Sequence, residues 1–109
     1  MNSYIEEKIK TLVTGIQSPF QQLSIRIECP LDSGIKVECW RVIDQEKISQ
    51  AIPGGVRVFF QFIELIRKNE PSREFNVVTI TADKTATYTV SFEFDAAVQR
   101  DAEENIKQA

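Results

Sequence analysis

Two cysteines, sixteen carboxylates and a single tryptophan are the side chains with the most chemistry to offer in this sequence. Nucleophilic catalysis lacks its usual partner, because the chain has no histidine and so no Ser-His or Cys-His pair and no imidazole general base. Cys29 and Cys39 alone fall short of the four N/S ligands of a structural zinc site, so no metal is expected. Neither GxxxxGK[ST] nor GxGxxG occurs, and Pro53-Gly54-Gly55 is too short and lacks the following Lys of a phosphate loop. It reads as a helix-entry turn. Paired-carboxylate chemistry of the glycosidase kind has residues enough, but 109 residues would also have to build a sugar cleft. The expectation is a protein that is not an enzyme and takes no cofactor.

Binding is what remains. Thirteen Lys and Arg against sixteen Asp and Glu give a net charge of −3, which argues against nucleic acid as partner, since phosphate neutralisation needs a basic face. The excess is local. From Tyr88 to Ala109 the acids Glu93, Asp95, Asp101, Glu103 and Glu104 face only Arg100 and Lys107, which accounts for the whole net charge. Such a run is either a solvated helix face or a patch that steers a cationic partner. Trp40 joins these acids as a candidate contact. Strand parity sets it with Arg26, Glu28, Lys36 and Glu38 on a polar face, and Trp and Arg dominate interface hot spots. The alternative is that residues 44 to 55, or a helix, cover it.

The elements that must position these groups follow from periodicity. Ile5, Ile9, Leu12, Val13 and Ile16 recur at helical spacing, and Ser3 with Glu6 has the spacing of a capping box, which predicts a helix from about Tyr4 to Ile16. The period then switches to two. Leu23, Ile25, Ile27 and Cys29 predict one strand and Ile35, Val37, Cys39, Arg41 and Ile43 a second, joined by Pro30-Leu31-Asp32-Ser33-Gly34. A hairpin centred near Ser33 and Gly34 places Ile27 opposite Arg41, Ile25 opposite Ile43 and Cys29 opposite Cys39. Arg41 interrupts the apolar face. Residues 44 to 50 fit a short strand or a loop. Val56 to Arg67 carries an apolar helical stripe, and its helix formers outweigh the strand-like run VRVFFQF. Strands over Phe75–Ala82 and Ala86–Phe94 follow, and Asp95 is placed to cap a last helix from Ala96 to about Ile106 whose apolar face is thin.

The predicted fold class is therefore α+β: an antiparallel sheet of four or five strands in the order α-β-β-(β)-α-β-β-α, with helices mainly on one face and a single domain over residues 1–109. Glu6 and Glu7 stand where a signal peptide needs an apolar stretch, and no apolar run approaches the roughly 18 residues of a membrane span. A cytoplasmic protein with no membrane partner is expected. Its cysteines are then reduced thiols filling core space, although the hairpin register above leaves a strained cross-strand disulfide conceivable.

The run FFQFIELIRKNEP, then FNVVTITADKTATYTVSFEFD and a polar helix, resembles the C-terminal half of YezG-like immunity proteins. Tyr88, Phe92, Phe94 and Asp95 stand in positions matching the aromatic-alternating strand that closes on an acid. Phe75 replaces a Trp of that family, and the N-terminal half has no counterpart. The resemblance implies a cytosolic, non-catalytic protein that occludes a polymorphic toxin domain, as in contact-dependent growth inhibition. For a basic nuclease domain, Trp40, Glu93, Asp95, Asp101, Glu103 and Glu104 are the expected partner-binding residues, in a chain that is a monomer or a weak homodimer. The element order and a pI near 5.0 also resemble type III secretion chaperones, which dimerise around an unfolded effector segment. A small enzyme or ligand carrier would instead need a deep pocket with converging polar groups.

Overall fold

A computed structural model describes residues 3–108 apart from residue 32, and leaves aside the side chains of residues 3, 4 and 105–108. The Ser3 side chain of the expected capping box, and Asp32 of the first turn, lie outside the described part. The elements run α1 Ser3–Gly15, β1 Gln22–Glu28, β2 Lys36–Ile43, β3 Glu46–Ser49, α2 Arg57–Asn69, β4 Val77–Ala82, β5 Tyr88–Glu93 and α3 Ala96–Gln108. The five strands form one antiparallel sheet in the order β3-β2-β1-β4-β5. The predicted order and class hold, with residues 46–49 supplying the optional strand.

Periodicity explains why α2 is a helix despite its strand-like start. Phe59, Phe62, Ile63 and Ile66 are buried along one helical stripe, whereas Phe60 is exposed. A strand would send Phe59 and Phe60 to opposite faces and break that stripe. In α1 the same spacing buries Ile5, Ile9, Leu12 and Val13. Both helices pack on one sheet face. There the registered rows Arg41–Leu23–Ala82–Tyr88, Cys39–Ile25–Ile80–Val90 and Val37–Ile27–Val78–Phe92 supply the other half of the core.

The β1–β2 register differs from the expected one by four residues. Ile27 pairs with Val37 and Ile25 with Cys39, rather than with Arg41 and Ile43. Cys29 already belongs to the β4 side, its N–H donating to the Asn76 carbonyl at 2.8 Å, and Pro30 has no N–H with which to extend a tight hairpin. The connection is consequently longer and centred earlier. The inward faces survive because the slip is an even number of residues. Cys29 and Cys39 are not opposite one another: four residues of strand, about 13 Å, separate their rows, and both are buried free thiols.

The β2–β3 connection is a two-residue turn. Asp44 and Gln45 both have positive φ, 48° and 69°, as a type I′ hairpin requires, and Asp tolerates that conformation better than most residues. Arg41 faces the covered side of the sheet, where its Nη1 donates to the Pro19 carbonyl at 3.0 Å across the α1–β1 loop. Its buried Nε has no partner among the described residues. No helix of the described chain is long and apolar enough to cross a membrane.

A candidate protein-binding face

The second face of the sheet carries side chains of a different kind. Ser24, Arg26 and Glu28 on β1, Lys36, Glu38, Trp40 and Val42 on β2, and Thr79 and Thr81 on β4 continue into Thr89, Ser91 and Glu93 on β5. All but Val77 of this face are half-buried or exposed. Its central charges are paired: along β1 Arg26 meets Glu28 at 3.5 Å, along β2 Lys36 meets Glu38 at 3.0 Å, and Arg26 also reaches Glu93 of β5 at 3.6 Å. Exposed pairs of this kind contribute little to stability, but they fix where the charges lie. Trp40 is half-buried in this face, with the Lys47 ammonium 5.3 Å from its ring. The 44–55 segment therefore flanks the indole through β3 without sealing it.

α3 borders the same face at one end. Ala97, Val98, Asp101 and Ala102 wall a cleft of about 490 Å³ together with Glu28, Lys36 and the Pro30–Ile35 connection. Val77 points toward this side and is fully buried, outside the core that α1 and α2 cover. Polar contacts seat the helix. The Asp95 carboxylate accepts from the Ala97 N–H at 2.9 Å, as an N-cap should, and the Asn76 amide exchanges two 2.8 Å hydrogen bonds with the Asp95 backbone. Gln99 accepts from the Leu31 N–H at 2.9 Å and donates to the Leu31 carbonyl at 3.3 Å.

The six residues selected from sequence are thus distributed unevenly. Glu93, Asp101, Glu103 and Glu104 are exposed at the α3 end, and Asp95 is half-buried with its carboxylate engaged in capping. Trp40 shares their side of the sheet but stands three strands and four residues away from Glu93, about 20 Å by strand spacing. A partner reaching both would have to span most of the sheet.

Sequence reasoning missed a second surface. Leu31 and Phe94, each 51% exposed, border a notch of about 440 Å³ with Arg67, Glu70, Pro71, Arg73, Glu74 and Phe75. The Arg73 guanidinium lies 4.6 Å from the Phe92 ring and pairs with Glu70 at 2.9 Å, while Arg67 lies 5.1 Å from the Phe75 ring and donates to the Cys29 carbonyl. The available signal was a large apolar residue inside a turn, Leu31, and another just beyond a strand, Phe94. The thiols are poor nucleophiles: burial raises Cys29 despite the nearby Arg67, and burial pushes Cys39 up to about 11. Among the described residues no group of His, Cys, Asp and Glu is placed to hold a metal ion. No family model matches this sequence, and no curated protein matches it.

Proposed function

We propose that this chain is a non-catalytic immunity protein that binds a basic toxin domain, a nuclease by preference, and occludes it stoichiometrically. The observation that carries the reading is the polar side of the sheet that α1 and α2 leave uncovered, bordered at one end by α3 with its exposed acids and holding Trp40 at the other. An anionic rim speeds encounter with a cationic surface, and a half-buried indole is a suitable second anchor at the far end of the face. Asp101, Glu103 and Glu104 take the place of substrate phosphates. Asp95 contributes by holding the helix that presents them. The resemblance of residues 56–109 to YezG-like proteins supplies the biological setting.

The reading expects a neighbouring open reading frame that ends in a toxin domain, and co-expression with that domain is the direct test: rescue of growth and a one-to-one complex in pull-down are expected, and the absence of both rejects the pairing. Reversing Asp101, Glu103 and Glu104 to Lys should slow association at low salt; unchanged kinetics there would remove steering from the mechanism.

The apolar notch around Leu31 and Phe94, together with the complete α-β-β-β-α-β-β-α order, favours a second reading as a secretion chaperone. That protein would retain an unfolded segment of its client. Leu31→Asp and Phe94→Asp would abolish capture of such a segment, yet leave binding of a folded basic domain intact.

A further inference from the structure

The two edges of the sheet are built differently. β3, at one edge, is four residues long, wholly exposed and bears Glu46 and Lys47, the short charged design that discourages strand addition. β5, at the other, is six residues of YTVSFE with no Lys and no Pro, rich in the β-branched and aromatic types that favour strands. Its hydrogen-bond parity is set by β4. The Asp83 N–H donates to the Thr87 carbonyl at 3.0 Å, and Ser91 pairs with Thr79, so the odd residues of β5 turn their backbone groups inward to β4. The N–H and C=O of Tyr88, Val90 and Phe92 therefore point outward, and among the described residues nothing accepts or donates to them beyond the ladder. α3 leaves β5 toward the Pro30–Ile35 connection and does not cover this edge.

We infer that β5 is a self-association edge, where a second copy of this chain adds antiparallel about a two-fold axis through Val90 and extends the sheet to ten strands. A register centred on a residue keeps like faces together, one centred on an even residue matches the outward-pointing backbone groups, and of these only the one centred on Val90 pairs all three of Tyr88, Val90 and Phe92. It yields six backbone hydrogen bonds, from the reciprocal pairs Val90 with Val90 of the second copy and Tyr88 with Phe92, twice. Side-chain pairing is compatible throughout: aromatic meets aromatic on the helix side, and Thr89 meets Ser91 on the open side. Glu93, the one charge of the strand, falls opposite Thr87 of the other copy, so no like charges oppose. This matching of the strand to itself is what selects a second copy over an unrelated strand. The inference does not depend on the toxin reading.

A six-residue seam is small, so sedimentation equilibrium should show a reversible dimer between about 10 µM and 1 mM. Val90→Pro removes an outward N–H and no bond to β4, so a folded monomer is expected, with a dimer dissociation constant raised about tenfold or more. Exposed-side variants supply an independent arm: T89E/S91E and T89K/S91K each place like charges across the seam and should be monomeric alone, yet associate when mixed. A wild-type chain that is monomeric over the whole range overturns the inference, as does a folded Val90→Pro protein that dimerises normally. Should Val90→Pro fail to fold, the charge pair decides, and a mixture that stays monomeric overturns it.

Discussion

α2 and α3 have the same length, 13 residues, and are attached in opposite ways. α2 buries Phe59, Phe62, Ile63 and Ile66 against the sheet, and its place in the fold is secured by apolar area removed from water. α3 offers Ala97, Val98 and Ala102, all only half-buried, and is seated by a cap, an asparagine clasp and one glutamine bridge. Apolar burial and exposed charge are thus assigned to different helices. A helix held by a few partly exposed polar contacts opens locally at far lower free energy than the core.

The largest expected effect lies on the α2 side. Phe62→Ala should cost about 3–5 kcal/mol in denaturant unfolding, because a buried ring leaves a cavity that the surrounding core fills only in part. A loss below about 1 kcal/mol, within the range of ordinary surface substitutions, would erase the contrast with α3.

Next comes the covered face's thiol. Burial pushes the Cys39 thiol up to about 11, while in the unfolded chain it ionises near its ordinary 9.0. Its contribution to stability is complete below pH 9 and is lost as pH rises toward 11, at about 1.4 kcal/mol per pH unit at most. Alkaline titration of Tm should show this decline in wild type and a shallower one in Cys39→Ala. Equal slopes would mean that water reaches the sulfur.

On the α3 side, Asn76→Ala deprives the Asp95 N–H and carbonyl of their partners in a fully buried position and should cost about 1–3 kcal/mol. Its signature in hydrogen exchange is faster α3 amides with α2 amides unchanged. Equal acceleration in both helices would make them one cooperative unit. The smallest effect belongs to Asp95→Ala, the loss of a cap worth about 1 kcal/mol, visible as fraying from Ala96 onward.

Several elements were legible in the residues themselves. The α2 stripe, the alternation of Tyr88, Val90 and Phe92, and the Asp95 cap all follow from interactions within a few residues of chain, and each stands where periodicity puts it. The chain's third strand was ambiguous for a local reason: Asp44 and Gln45 make a positive-φ turn without the glycine that normally announces one. The β1–β2 register was misread because it depends on Asn76, nearly fifty residues downstream, holding Cys29 to β4. For the candidate site, parity correctly placed Trp40 with Arg26, Glu28, Lys36 and Glu38 on one side of the sheet, but said nothing of how far Trp40 stands from the acids. The Leu31–Phe94 notch was invisible, since it joins a turn and a strand end 63 residues apart in the sequence.

By itself, then, the sequence determined which residues are helical, which alternate, and which way each alternation faces, because those properties have periods of 3.6 and 2 and need only neighbours along the chain. Tertiary structure alone decided that β4 lies beside β1, that β5 and β3 end as the two edges, and that α3 borders the polar side. Those choices rest on contacts between segments tens of residues apart, such as the Asn76 clasp on Asp95, and a local pattern carries no information about which distant strand will meet it.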